Sequence, residues 1–162
     1  MTDLPSAPAV APHLRVGAYA VIRDSGRVLL AHWNDRGGAG WTLPGGGVEF
    51  GEDPIDGMVR EVAEETGYAA EAERLLGVDT ITIPGDRRLD GSGVPFFGVR
   101  IFYRAAISGG ALENERDGST DEARWVPEEE VPRLPVLDIV HVGLELDRTE
   151  PPTGALPGRR RA

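Results

Sequence analysis

Three closely spaced glutamates are the residues of this chain best suited to bind a metal ion. Glu61, Glu64 and Glu65 follow a glycine-rich stretch within the segment 46–68. On a helix, spacings of three and four residues bring side chains together, and like charges placed so repel one another. Crowded carboxylate oxygens suit Mg²⁺ or Mn²⁺, hard ions that also bind substrate phosphates. The alternative interpretation is a solvated acidic helix face with no ligand.

The same segment carries the signals for the beginning and the end of a helix. Asp53 and Pro54 predict the helix start, and Gly67 predicts its end. An apolar face is predicted from the residues that recur at helical spacing, which are Ile55, Met58, Val59, Val62 and Thr66. The glutamates therefore lie on a different face from the one that packs against the protein.

The segment also resembles the signature of the Nudix hydrolases, G-x5-E-x7-R-E-U-x-E-E-x-G-U, where U is a bulky aliphatic residue. Eight of the nine specified positions are filled over 23 residues, by Gly46, Glu52, Arg60, Glu61, Val62, Glu64, Glu65 and Gly67. The one departure is Tyr68, where an aliphatic residue is usual, and its ring can still make an apolar contact. So extensive a match is far more specific than a lone glycine motif.

The resemblance implies a hydrolase that cleaves a pyrophosphate linkage in a nucleoside diphosphate joined to another group. Mg²⁺, or Mn²⁺ in its place, would be held by the three signature glutamates and by the carbonyl oxygen of Gly46. It would neutralise the diphosphate and lower the pKa of a bound water. Arg60 would pair with a helix carboxylate and fix its orientation, and Glu52 would support the site without being a firm ligand. For Arg60, the alternative is an ordinary surface arginine.

A general base is also required, and the resemblance places it either in the signature helix or in an acidic loop at residues 113–122. Counted from the preceding strand, Glu115 lies where family members often carry a further glutamate. Asp121 and Glu122 are rivals for the same role. The alternative is an acidic surface loop that takes no part in the chemistry.

Substrate selection is predicted to come from residues outside the signature. Trp33 and Trp41 are candidates for stacking on a base, although such residues more often belong to the core or to the solvated surface. Candidates for binding terminal phosphates are Arg15, Arg23, Arg87, Arg88 and Arg100. The expected partner is a small nucleotide-type molecule, and the short chain favours a nucleoside triphosphate or a simple nucleotide conjugate. Family members are often homodimers, but no interface is visible in the sequence.

The order of predicted elements indicates an α/β protein. A hairpin of strands at 13–23 and 27–33 precedes the signature helix, a long central strand is predicted at 95–107, and a second helix at 136–146. The resemblance implies the Nudix fold, an α–β–α sandwich around a mixed β-sheet. We expect a flexible N-terminal arm at 1–12, one domain at 13–147 and a disordered tail at 148–162.

Composition excludes several other classes of protein. The chain has 162 residues, a net charge of −10 and no cysteine, which excludes disulfides and thiolate chemistry and argues against binding long nucleic acid. No apolar run is long enough to span a membrane, and a cytoplasmic location is expected. Two rival functions remain: a non-catalytic Nudix-like domain that senses a nucleotide metabolite, and an acidic interaction domain that binds no metal.

Overall fold

The computed structural model describes residues 10–35 and 38–159. The elements in chain order are β1 (His13–Val21), β2 (Arg23–Asp24), β3 (Arg27–Asp35), β4 (Gly38–Thr42), β5 (Gly45–Gly47), α1 (Pro54–Thr66), β6 (Tyr68–Ile83), β7 (Phe96–Gly110), β8 (Thr120–Pro127) and α2 (Asp138–Thr149). Short 3-10 turns occupy Gly85–Arg87 and Val131–Arg133. Neither helix in the described ranges has both the length and the apolar character to cross a membrane.

The strands form two four-stranded sheets. The first has the order β5-β1-β7-β6, in which β1 and β7 are parallel and the other neighbours are antiparallel. In the second, β3 pairs with β2, β4 and β8, always antiparallel. The predicted central strand is therefore confirmed, because β7 lies between β1 and β6.

Two hydrophobic cores lie on opposite faces of the strands. Alternate residues of β1 point to opposite faces, so Ala18 and Ala20 pack with Met58 and Val62 of α1. Val21 packs instead into the core that α2 covers. A mixed sheet with one helix on each side is the predicted α–β–α sandwich, and the fold class is confirmed.

The ends of α1 lie where the sequence predicts them. The Asp53 side chain accepts a hydrogen bond of 2.9 Å from the backbone N–H of Ile55, and Gly67 adopts the left-handed conformation with φ of 74°. The apolar face is buried at Met58 and Val62, but Ile55 in the first turn is 40% exposed. The helix is therefore held firmly from its second turn onward.

The C-terminal segment differs from the predicted disordered tail. Residues 148 and 149 complete α2, and residues 150–159 lie along β6. Gly154 accepts a hydrogen bond of 2.9 Å from the N–H of Val78, Leu156 packs against the core that α2 covers, and Arg159 pairs with Asp79 and Asp138. The richness in Pro, Gly and Arg indicated disorder, but contacts with distant residues order the segment. The remaining residues, 160–162, lie outside the described ranges, as do residues 1–9 of the predicted arm.

A truncation after residue 149 is therefore expected to destabilise the protein. It removes the partial burial of Leu156 and the ion pairs of Glu150 and Arg159, which together contribute about 2 kcal/mol. The midpoint of thermal unfolding, Tm, should fall by about 4–8 °C. Deleting only residues 160–162 is the control and should leave Tm unchanged. Equal Tm values for the two truncations would show that the segment adds nothing to stability.

Candidate active site

Arg60 connects β5, the glycine strand (Gly45–Gly47), to α1, the signature helix. Its Nε and Nη2 donate to the two carboxylate oxygens of Glu52 at 2.9 and 3.0 Å, and Nη2 also donates to the carbonyl of Gly47 at 3.0 Å. Nη1 donates to Glu61 at 2.9 Å and, more weakly, to Glu64 at 3.4 Å. The planar guanidinium suits such bidentate pairing, so Arg60 fixes the orientation of carboxylates on both sides of it.

Two of the predicted metal ligands lie against β5, whose glycines allow this close approach. A Cβ atom at Gly46 would lie 2.6 Å from the carboxyl carbon of Glu61, so any larger residue would displace that carboxylate. Glu65 is 5% exposed and accepts a hydrogen bond of 2.9 Å from the N–H of Gly45. Gly45 has φ of 142°, a conformation that other residues rarely adopt.

Burial and mutual repulsion disfavour negative charge on these carboxylates. Burial raises the pKa of Glu65 to about 8, the hydrogen bond from Gly45 opposes the rise, and the charges of Glu61, Glu115 and Glu64 add to it. Burial also raises the pKa of Glu61, although Arg60 opposes that shift. In contrast, the hydrogen bonds from Arg60 lower the pKa of Glu52 to about 2. Glu52 is thus a stably ionised partner of Arg60, whereas Glu61 and Glu65 lie where a negative charge is poorly compensated.

The donor set fits a hard divalent cation in its chemistry. Oxygen ligands of high charge density are those that Mg²⁺ and Mn²⁺ prefer, and a cation would relieve the repulsion that raises the pKa of Glu65. In the described ranges no three His, Cys, Asp or Glu side chains are grouped as ligands in this conformation. Glu61 and Glu64 both face Arg60, so metal binding requires these side chains to turn towards a shared ion.

The acidic loop brings Glu115 to the carboxylate cluster. Its Oε2 accepts hydrogen bonds from the N–H and the hydroxyl of Thr120, at 3.0 and 2.7 Å. Gly118 leaves room for it, since a Cβ there would lie 1.8 Å from Oε1. The charge of Glu115 raises the pKa of Glu65, so the two carboxylates are electrostatic neighbours.

The two rivals of Glu115 have other partners. Asp121 bonds to Nδ1 of His32 at 2.7 Å and to the side-chain amide of Asn34 at 2.8 Å. These two bonds lower the pKa of Asp121. Glu122 pairs with Arg124 at 3.3 Å. Asp121 and Glu122 thus have partners of their own, on β3 and β8.

The two tryptophans lie in different surroundings. Trp41 is 4% exposed, with the guanidinium of Arg124 over its ring at 4.4 Å and the His32 ring 5.0 Å away. A base can stack on Trp41 only if that cover moves. Trp33 is partly exposed and packs over Gly38, which keeps it available as a candidate for base contact.

Several features of the site had no clear signal in the sequence. The N–H of Gly45 holds Glu65, Gly118 makes space for Glu115, and His32 acquires Asp121 as a partner. A shift in the pairing register of β3 and β8, between His32 and Trp33, lies next to the contact of His32 with Asp121. The contacts of Glu65 with Gly45 and of His32 with Asp121 join residues distant in sequence, and in the sequence only the glycines indicated close approach.

The family of the protein follows from comparison with known sequences. A family model described as a NUDIX domain matches residues 11–142, which include the signature helix, both sheets and the start of α2. The chain belongs to the NUDIX family.

Similar proteins support the same assignment. A MutT-like protein of Streptomyces ambofaciens is 36% identical over 115 residues, which are 70% of this chain and 64% of that protein. Nudix hydrolase 2 of Arabidopsis thaliana is 33% identical over 136 residues, 80% of this chain and 45% of the relative. An 8-oxo-dGDP phosphatase of Homo sapiens is 33% identical over 105 residues, 63% of this chain and 28% of the relative. The chain thus spans less than two thirds of each of these relatives.

Solved structures show the same fold. A MutT NUDIX hydrolase from Burkholderia pseudomallei superposes with a TM-score of 0.68 at 26% identity, covering 83% of this chain and 98% of that one. A NUDIX hydrolase from Nitrosomonas europaea has a TM-score of 0.70 at 23% identity, covering 85% of this chain and 89% of that one. The order and packing of the elements are therefore those of this family.

Proposed function

We propose that this protein is a divalent-cation-dependent hydrolase that cleaves a pyrophosphate linkage in a nucleotide. The observation that carries the proposal is the group of carboxylates at the glycine strand. Glu61 and Glu65 lie against Gly46 and Gly45, Glu64 lies one turn from Glu61, and Glu115 is close enough to add to their charge. Membership of the NUDIX family and the names of the relatives support the reaction class.

Each residue has a role that follows from its contacts. Glu61, Glu64 and Glu65 would hold the cation together with the carbonyl of Gly46, and Arg60 with Glu52 would keep the helix carboxylates in place. The chemistry supplied by bound Mg²⁺ or Mn²⁺ is neutralisation of the diphosphate and activation of the attacking water. The N–H of Gly45 keeps Glu65 directed at the site.

Glu115 is our candidate for the general base. Thr120 holds its Oε2 with two hydrogen bonds, and Oε1 receives none from the described residues. Oε1 is thus the atom that would accept the proton from the attacking water. A carboxylate oxygen without a hydrogen bond can accept a proton from a water within hydrogen-bond reach, and the bonds to the other oxygen fix its position.

The substrate class is proposed more narrowly as a nucleoside triphosphate or a simple nucleotide conjugate. The relative named as an 8-oxo-dGDP phosphatase acts, by its name, on a nucleotide with a diphosphate. Partly exposed Trp33 packs over Gly38 at the start of β4, where its ring could meet a base.

The test is hydrolysis across a panel of substrates, with Mg²⁺ and with EDTA. The panel contains dNTPs, 8-oxo-dGTP and 8-oxo-dGDP, ADP-ribose, diadenosine polyphosphates, UDP- and GDP-sugars, NADH and CoA. We expect one class to be hydrolysed well above the others and the activity to disappear in EDTA. Hydrolysis that persists in EDTA would contradict the proposal. An inactive protein whose Tm rises with one nucleotide would instead be the metabolite-sensing domain.

A further inference from the structure

Arg15 differs from most of the arginines that were candidates for phosphate binding. Arg23 pairs with Glu128 and Asp147, Arg88 with Asp90, and Arg100 with Asp79 and Asp138. The side chains of Arg15 and Arg87 form no ion pair or hydrogen bond with any residue in the described ranges. Both side chains have N–H donors available to a phosphate, so the choice between Arg15 and Arg87 depends on which of them lies near the glutamates.

The guanidinium of Arg15 lies beside the glycine strand. Arg15 precedes Gly17 on β1, and Gly17 is paired with Gly47 on β5. A Cβ atom at Gly47 would lie 3.2 Å from Nε of Arg15 and 3.3 Å from its Nη2. The absence of a side chain at Gly47 therefore allows Arg15 to lie over the strand next to Gly46, the neighbour of the Glu61 carboxylate.

Arg15 and Glu61 occupy opposite faces of β5. Successive strand residues point to opposite faces, and the Cβ position of Gly46 meets Glu61 whereas that of Gly47 meets Arg15. The two charges still interact, since Arg15 is among the groups that oppose the rise in the pKa of Glu61. β5 is the edge strand of its sheet, so a single strand lies between Arg15 and Glu61 at this edge.

We propose that Arg15 binds a substrate phosphate that lies beyond the diphosphate held at the glutamates. This inference rests on the proposed function and narrows its substrate class. Adjacent phosphates of one diphosphate are separated by a single bridging oxygen, whereas Glu61 and Arg15 are separated by a strand. A third phosphate can reach across that distance, and Arg15 presents five N–H donors to it. Nucleoside triphosphates and polyphosphates are therefore favoured over nucleotide sugars.

The test compares the binding of inorganic tripolyphosphate and inorganic pyrophosphate in Mg²⁺, measured by calorimetry. Arg15→Ala should weaken tripolyphosphate binding about tenfold or more, the effect of a charge-assisted hydrogen bond, and leave pyrophosphate binding within about threefold. Arg15→Lys should lie between, because it keeps the charge and loses the planar fork. Arg133→Ala is the matched control, an exposed arginine without an ion pair among the described residues.

A second variant tests the position of the side chain. Gly47→Ala places a methyl group against the guanidinium and should weaken tripolyphosphate binding when Arg15 is present. In the Arg15→Ala background the same change should have no further effect, because the displaced group is gone.

Three results would overturn the inference: unchanged tripolyphosphate affinity in Arg15→Ala, equal weakening for both anions, or no tripolyphosphate binding by the wild type. Hydrolysis of the nucleotide panel is measured separately. A wild-type enzyme that hydrolyses nucleotides while Arg15→Ala binds tripolyphosphate normally would retain the proposed function and reject the role of Arg15.

Discussion

Glu65→Gln is expected to lower turnover by about a hundredfold or more and, at the same time, to stabilise the metal-free protein. The amide oxygen of glutamine can still accept the hydrogen bond from Gly45, so the fold should persist. The lost negative charge is one that would hold the cation in the proposed site, where its electrostatic contribution is several kcal/mol, or a factor of ten for each 1.4 kcal/mol. Initial rates and circular dichroism measure the two properties.

The gain in stability follows from the pKa of Glu65. Its value of about 8 in the folded protein lies above the ordinary 4.5, so the folded state binds more protons than the unfolded state between these values. Stability in EDTA therefore falls as pH rises from about 4.5 to 8. Glutamine carries no such charge, so the variant should have the higher Tm at pH 8. The difference should vanish near pH 4.5.

Glu64→Gln is the matched comparison for this prediction. The Glu64 side chain is 49% exposed, so the variant should lose turnover without the gain in metal-free stability. Glu73→Gln, at an exposed position of β6, should leave both properties unchanged. Mg²⁺ should raise the Tm of the wild type more than that of either signature variant. Retained turnover in both signature variants would remove these glutamates from the metal site.

Glu115→Gln is expected to lower kcat by about 10²–10⁴, the usual contribution of a general base. Thr120 can still donate to the amide oxygen, so the loop should keep its conformation. kcat/KM should fall by a similar factor in saturating Mg²⁺, because the variant loses the group that takes the proton from the attacking water. Turnover within about threefold of the wild type would contradict the assignment of Glu115 as the general base.

Asp121→Asn provides the control for Glu115, because Glu115 lies in the acidic loop, Asp121 lies just after that loop at the start of β8, and the two carboxylates have different partners. The variant should change kcat little, since Asp121 bonds to His32 and Asn34. Should Asp121→Asn show the larger loss and alter the pH profile, the general base would belong to the His32–Asp121 pair instead.

The signature helix shows how much of the site was predictable from sequence. The helix begins at Asp53 and Pro54 and ends at Gly67, through contacts within four residues of each. The regular geometry of a helix places Glu61, Glu64 and Glu65 together whatever surrounds them. Strand alternation likewise predicted β1 and β7 and, with the resemblance, the sandwich. These features depend on contacts between residues that are close in sequence, so they can be predicted from the sequence directly.

The accessory residues depend on contacts between distant segments. Arg15, Arg23 and Arg100 are equivalent as residue types, and only tertiary structure pairs Arg23 and Arg100 with carboxylates and leaves Arg15 beside the glycine strand. The same holds for Trp41. The sequence does not distinguish a base-stacking tryptophan from a core tryptophan, and only the folded structure places Arg124 over the ring.

The C-terminal segment gives the clearest contrast. Its composition lacks the apolar periodicity of a packed element, so the sequence indicated a disordered tail. In the folded protein, Gly154 bonds to the β6 edge and Arg159 meets Asp79 and Asp138. The amino-acid sequence by itself determined the family, the signature helix and the alternation of the strands, because these are local patterns. Tertiary structure alone decided which charges are neutralised and which remain available to a ligand, because that depends on partners tens of residues away.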